Sequence, residues 1–190
     1  MRVALVGAAV RDNAVVIPLR VAAVALLCPV LFATTGCALL GEAVGTFSFS
    51  MSSESMLPTV EKGARLTVRR AVGGYVPRPG DVVVFTPADW TGITPDAGHV
   101  SRVIGVPGST VVCCDSQGRL EVNGKALDEP YLALPPASHV PFSVLVPAGR
   151  LWMMSDNRHV ALDSRAHRGD PGEGTVAVSD VDGQVSLPVR

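Results

Sequence analysis

Hydrophobic positions divide the chain into one uninterrupted apolar run and a longer region of short apolar segments. Residues 21–41 contain no charged side chain over 21 positions. A helix rises about 1.5 Å per residue, so this run spans about 31 Å, the thickness of the hydrocarbon core of a bilayer. The pattern predicts a transmembrane anchor at residues 21–41, between a short segment at 1–20 and a domain at 42–190.

Three alternatives to a membrane anchor exist for the apolar run. A cleavable signal peptide has an apolar region of about 7–15 residues before a small-x-small site, whereas this run is longer and no Ala-x-Ala follows it. Residues 34–37 read Thr-Thr-Gly-Cys and resemble a bacterial lipoprotein signal, although a threonine stands three positions before Cys37 where an apolar residue is usual. A buried core helix is the third alternative. The length of the run favours the anchor.

Basic residues on the two sides of the run predict its orientation. Arg2, Arg11 and Arg20 precede it, and the next cation along the chain is Lys62. Because cytoplasmic flanks are enriched in Lys and Arg, the N-terminus is expected in the cytoplasm and the domain outside. No second apolar run of spanning length occurs near the C-terminus. We therefore expect a single-pass protein of the cell membrane that contacts membrane lipid.

Short apolar segments in the second region have the composition of β-strands. They are rich in β-branched residues and are separated by Gly and Pro turns, as at Pro79-Gly80. Asn123-Gly124 favours a type I′ hairpin turn. The predicted strands are residues 65–68, 81–85, 100–106, 110–113, 120–122, 144–146, 151–154 and 181–187. The fold class expected is mainly β, an antiparallel β domain behind one N-terminal transmembrane helix.

Composition narrows the classes of function. A chain of 190 residues with 47% hydrophobic residues is long enough for one good core. The formal net charge of −1 gives no reason to expect binding to nucleic acid. The sequence contains neither a Cys-x-x-Cys pair nor a His-x-x-x-His pattern, so no metal site and no cofactor are predicted.

The four cysteines fall into two pairs. Cys28 and Cys37 lie in the apolar run and are interpreted as small apolar side chains. Cys113 and Cys114 are neighbours in a predicted strand, where adjacent side chains point to opposite faces. A bond between them would strain the backbone, so we expect one buried and one exposed thiol.

Residues 53–59 read Ser-Glu-Ser-Met-Leu-Pro-Thr and place two hydroxyls two positions apart. Pro58 fixes its own φ and biases Leu57 away from helix, which predicts extended backbone presenting an alcohol. The segment resembles the nucleophile motif Ser-x-Ser-Met-x-Pro-Thr of the type I signal peptidases, which are membrane serine endopeptidases that remove signal peptides from exported preproteins. The resemblance implies that Ser55 is the nucleophile and that Ser53 helps to bind the oxyanion.

Three further motifs follow in the order found in that family. Residues 78–85 resemble its characteristic turn and strand, and residues 102–108 resemble the segment that follows its catalytic lysine. Residues 155–158 with 163–165 are similar to its box Gly-Asp-Asn-Arg-x-x-Ser-x-Asp-Ser-Arg. The resemblance implies a structural ion pair between Asp163 and Arg165, and a signal peptide as ligand.

The family's general base is absent from its expected position. A serine hydroxyl needs a neighbouring proton acceptor, which in this family is a buried neutral lysine, or a histidine in the eukaryotic and archaeal relatives. Ser101 stands at that position, and Ala161 replaces the serine that hydrogen-bonds the lysine. Ser155 replaces the glycine that opens the last box, where a side chain would crowd the backbone.

The lysines and histidines of the chain are the other candidates for the general base. Lys62 and Lys125 are the only lysines, and both lie in turn sequences where a solvated side chain is expected. His99 shares a strand face with Ser101, about 6–7 Å along the strand, and is the preferred candidate, although a strand-entrance histidine without chemistry is the plainer interpretation. His139, His159 and His167 lie in loop-like sequence, the last two in or just after the final box.

Two functions fit these observations. The first is a signal peptidase I-type serine endopeptidase with Ser55, Ser53 and a non-standard base. The second is a catalytically inactive homologue that binds signal peptides or a partner peptidase along a β edge. Both share the same fold, topology and class of ligand.

Overall fold

A computed structural model describes residues 45–72, 74–94 and 97–187. The predicted segment 1–20 and anchor 21–41 lie outside the described residues. Within the described ranges no helix is both long and apolar enough to cross a membrane.

Eleven antiparallel strands and one short 3₁₀ helix at Val178–Asp180 make up the regular structure of the described residues. The strands are β1 Thr46–Ser50, β2 Arg65–Arg70, β3 Val82–Phe85, β4 His99–Gly105, β5 Thr110–Cys113, β6 Leu120–Val122, β7 Lys125–Ala126, β8 Phe142–Leu145, β9 Arg150–Met154, β10 Val176–Ala177 and β11 Val181–Val185. One sheet has the strand order β1, β2, β11, β3, β4, β9, β10, and the second has the order β7, β6, β5, β8. The predicted mainly β class is confirmed.

The buried strands are the ones with uninterrupted apolar sequence. All four residues of β3 are buried, as are six of the seven in β4, because both faces of these central strands are covered. Alternate residues of β3 enter different clusters: Val82 and Val84 pack on one side, Val83 and Phe85 on the other. The central position of β3 and β4 makes their ends a fixed platform for neighbouring loops.

Eight predicted strands are present with small shifts of their ends, and three strands were missed. β1 was missed because Phe47 and Phe49 alternate with polar residues on an edge strand that is only half-buried. β7 and β10 contain two residues each, too few for a periodic signal. The predicted type I′ turn is confirmed, since Asn123 and Gly124 have φ values of 53° and 72°.

The expectation of two free thiols at the cysteine pair is wrong. Cys113 and Cys114 form a disulfide with each other. Cys113 is buried and Cys114 is half-buried, and both sulfur atoms lie near the carbonyl oxygen of Ser138. The strand alternation that was expected to separate the two side chains does not persist beyond Cys113, where β5 ends.

Candidate active site

The segment carrying Ser55 is held in place by a buried methionine. Met56 is fully buried in the cluster that also contains Met51 and Val60. The extended backbone expected here is wrong: the Leu57 N–H donates to Glu54 at 3.2 Å, and the Val60 N–H to Met56 at 2.8 Å, so the segment is a series of turns. These turns bury Met56 and leave the preceding hydroxyls at the surface.

The two hydroxyls of the motif lie against each other. Ser53 Oγ and Ser55 Oγ are 3.0 Å apart, and the Ser55 N–H donates to Ser53 Oγ at 3.4 Å. Ser53 is exposed and Ser55 is half-buried. The pair therefore combines an accessible alcohol with a neighbouring hydroxyl donor.

Asn157 ties the serine segment to the final sequence box. Its backbone N–H donates to the Ser55 carbonyl at 2.8 Å, and its side-chain amide donates to the Glu54 carbonyl at 3.2 Å. These bonds cross 102 and 103 positions of sequence. Sequence reasoning placed both segments in one motif set but missed this residue, because only the folded chain reveals which carbonyls it reaches.

Asp156 is the second brace of the site. Its buried carboxylate accepts a hydrogen bond from Arg102 Nε at 2.8 Å and another from the Thr59 hydroxyl. Arg102 also lies over the ring of Tyr131, with its Cζ atom 3.8 Å from the centroid. A buried charge pair with these further contacts links β4, the segment that follows β9, and the serine segment.

The expected ion pair in the same box is present. Arg165 donates to Asp163 through two nitrogens at 2.8 Å each, and Asp163 also accepts the backbone N–H of Ser155 at 3.1 Å. Because its carboxylate is fully occupied in holding backbone and guanidinium, Asp163 has a structural role.

The hydroxyls of Ser101 and Ser155 form a buried pair. Ser101 Oγ and Ser155 Oγ are 2.7 Å apart, and both residues are buried. Ser101 lies in β4 opposite Val83 of β3. The two serines expected from the sequence to differ from the family motif are therefore in direct contact, and each satisfies the buried hydroxyl of the other.

His99 lies on the same strand face as Ser101, as predicted, and is enclosed by aromatic rings. Its ring centroid is 5.8 Å from those of Phe85 and Trp90. Nε2 is buried and has no hydrogen-bond partner among the described residues. Burial lowers the pKa of the imidazole, and the nearby His167 lowers it further. His99 is therefore uncharged at neutral pH.

His167 contacts the same indole. It stacks on Trp90 with centroids 4.1 Å apart, and its Nδ1 is 2.7 Å from Asp170 Oδ2. Hydrogen bonds from Thr91, then from His167, lower the pKa of Asp170 to about 2. The sequence predicted a loop-like position for His167 just after the final box, and in the structure the residue is buried against Trp90.

Both lysines are exposed, as expected. Lys62 lies in a turn and Lys125 in β7 of the second sheet. Among the described residues, no lysine or histidine hydrogen-bonds the hydroxyl of Ser55. His139 and His159 are also exposed, and they contact each other.

The candidate catalytic residues line one cleft of about 300 Å³. Ser53 and Ser55 lie on its wall with His99 and Ser101, and apolar side chains such as Leu162 complete it. Such a cleft is suited to an extended peptide that presents a carbonyl carbon to Ser55. Fold and site together define a β-sheet protein with a serine-centred cleft.

Comparison with known proteins places the chain in a family. The family described as "Signal peptidase, peptidase S26" matches residues 22–190. The probable signal peptidase I of Mycobacterium leprae (strain TN) is 35% identical over 195 residues, covering 74% of this chain and 67% of the relative. The signal peptidase I of Mycobacterium tuberculosis (strain CDC 1551 / Oshkosh) is 35% identical over 188 residues, covering 74% and 64%.

A solved signal peptidase I from Enterococcus faecalis V583 aligns with a TM-score of 0.47 and 25% identity, covering 60% of this chain and all of that one. The family match extends over most of the sequence, so this chain belongs to the peptidase S26 family of signal peptidases. The matches span about two thirds of the length of the mycobacterial relatives.

Proposed function

We propose that this protein is a membrane serine endopeptidase that removes signal peptides from exported preproteins. The observation that carries the proposal is the Ser53–Ser55 hydroxyl pair, 3.0 Å apart at the wall of an open cleft. Family membership supports the reaction class. The relatives found give no support to the alternative of an inactive, peptide-binding homologue.

Ser55 is the proposed nucleophile. Its Oγ attacks the scissile carbonyl carbon, and the carbonyl oxygen becomes an oxyanion that needs hydrogen-bond donors. The Ser55 N–H and the Ser53 hydroxyl lie side by side, since the N–H donates to Ser53 Oγ. These two groups are the proposed donors to the oxyanion. Asn157 and Met56 hold the segment still while this happens.

His99 is the proposed general base, because it is the one titratable cleft residue that is kept neutral by its surroundings. No hydrogen bond joins its ring to Ser55, so the proposed route carries the serine proton to the imidazole through water in the cleft. The same proton then goes to the departing amine. A water molecule then attacks the carbonyl carbon of the acyl-enzyme, and the ester bond to Ser55 breaks.

The proposed topology follows from sequence. Residues 21–41 anchor the protein in the cell membrane with the N-terminus in the cytoplasm, and the domain from residue 42 onward faces outward. Its partners are then the signal peptides of exported preproteins and the surrounding lipid. This arrangement places the cleft on the side of the membrane where signal peptides are cut off.

The full-length protein, purified in detergent, tests the proposal by cleavage of a preprotein. Ser55→Ala should abolish cleavage while leaving thermal stability nearly unchanged, because the half-buried hydroxyl contacts only its neighbour. Ser143→Ala is the matched control, since Ser143 is exposed in the second sheet. Cleavage that survives Ser55→Ala would refute the nucleophile. A wild-type protein that binds signal peptides without cutting them would establish the inactive homologue.

A further inference from the structure

Two exposed histidines outside the cleft lie at the spacing of metal ligands. His139 Nε2 and His159 Nδ1 are 3.3 Å apart, although 20 positions of sequence separate the residues. Two imidazole nitrogens bound to one zinc ion at about 2.0–2.1 Å each are about 3.3 Å apart in tetrahedral geometry. The spacing of the two ring nitrogens therefore equals that of two ligands of one zinc ion.

The tautomer of His159 is fixed in the form that a metal requires. Its Nε2 lies 3.3 Å from the carbonyl oxygen of Leu134, an atom that only accepts hydrogen bonds. Nε2 therefore carries the proton and Nδ1 keeps its lone pair, directed at His139. A ring nitrogen donating to a backbone carbonyl is the usual support of a metal-binding histidine.

Buried contacts hold the two histidine segments together. Arg158, next to His159, is buried and donates to the carbonyls of Ala137 at 3.1 Å and Ser155 at 2.7 Å. On the other side, the Ser138 hydroxyl accepts the Val140 N–H at 3.1 Å and closes the turn around His139. The backbones on both sides are therefore fixed before any ion binds, so little ordering cost remains.

We propose that His139 and His159 form a surface site for a divalent transition-metal ion of the zinc class. Within the described part of the chain, no cluster of three or more His, Cys, Asp or Glu side chains is placed to hold a metal. The site thus has two protein ligands, and water completes the coordination shell. Neutral imidazole suits zinc, nickel and copper, whereas calcium and magnesium prefer oxygen ligands.

Calorimetric titration of the full-length protein in detergent with ZnCl₂ tests the site. We expect His139→Gln and His159→Gln each to weaken zinc binding about tenfold or more, and the double variant to lose no more than either single one. Val140→Ala is the control, because it changes an exposed neighbour and keeps both imidazoles. CuCl₂ bound to the wild type should show coupling to two nitrogens by electron paramagnetic resonance.

Equal zinc affinity in the wild type and both glutamine variants would overturn the proposal, and so would an absence of zinc binding by the wild type. Both histidines are exposed, so the variants should fold normally. Ser55→Ala should bind zinc like the wild type. Zinc binding and preprotein cleavage can therefore be tested independently of each other.

Discussion

Ser101 stands where the resemblance to the family implies a catalytic lysine. Its hydroxyl is buried against Ser155 at 2.7 Å, so the position expected to hold an amine now holds half of a hydroxyl pair. A hydrogen bond contributes about 1 kcal/mol net to the free energy of unfolding, whereas a buried hydroxyl without a partner lowers that free energy by about 1–3 kcal/mol. The two serines therefore depend on each other, and changing one alone is unfavourable.

His99 gives a prediction about the pH dependence of cleavage. A general base works only when neutral, so kcat/KM should rise with pH through the pKa of His99. Burial, followed by the charge of His167, lowers that pKa below its ordinary value of 6.5. The midpoint of the rise should therefore lie below pH 6.5. His167→Gln removes one of the two causes and should move the midpoint upward.

Preprotein cleavage measured across pH for the wild type, His99→Gln and His167→Gln checks this expectation. His139→Gln serves as the control, because that ring is exposed and lies outside the cleft lining. His99→Gln should remove cleavage together with the acid limb of the profile. If it cleaves as fast as the wild type, His99 is not the base.

At the scale of elements, the central strands were predictable and the assembly of the site was not. β3 and β4 follow from valine-rich runs between Pro-Gly turns, because buried strands need apolar residues on both faces. The bond from Asn157 to the Ser55 carbonyl spans 102 positions and depends on how two loops meet. No local sequence pattern predicts a contact between two loops so far apart in the sequence.

The candidate residues themselves divide in the same way. Strand alternation placed His99 on the face of Ser101, but the enclosing ring of Trp90 comes from a loop that the pattern does not position. The sequence predicted only that the side chain of Ser155 would crowd the backbone. Its contact with Ser101 was not predicted. The His139–His159 pair gave no signal, since metal motifs are recognised by short spacing.

The contact between Ser101 and Ser155 predicts which further changes a lysine at position 101 needs in order to act as a base. Ser101→Lys alone should give little activity, because the Ser155 side chain occupies the space beside position 101. Combining Ser101→Lys with Ser155→Gly and Ala161→Ser provides room for the amine and a hydroxyl to orient it. The triple variant should cleave preprotein about 10² times faster than Ser101→Lys, the usual lower range for a positioned base.

Rates of preprotein cleavage at saturating and limiting substrate measure this difference. The same triple variant with methionine in place of lysine at position 101 is the control, because it fills similar space without an amine. Equal rates for the single and triple lysine variants would mean that Ser155 does not restrict the site. Equal rates for the lysine and methionine triples would mean that the amine is not acting as a base.

The proposed topology predicts how the full-length chain behaves in cells. It should remain in the membrane fraction after carbonate extraction, because 21 uncharged residues at positions 21–41 provide a span of bilayer length. Protease added outside should digest the domain from Phe47 onward and spare a short N-terminal fragment. A soluble, shortened product would instead indicate a cleaved signal peptide, and a lipid-modified product beginning at Cys37 would indicate a lipoprotein. Protection of the domain from external protease would reverse the orientation inferred from Arg2, Arg11 and Arg20.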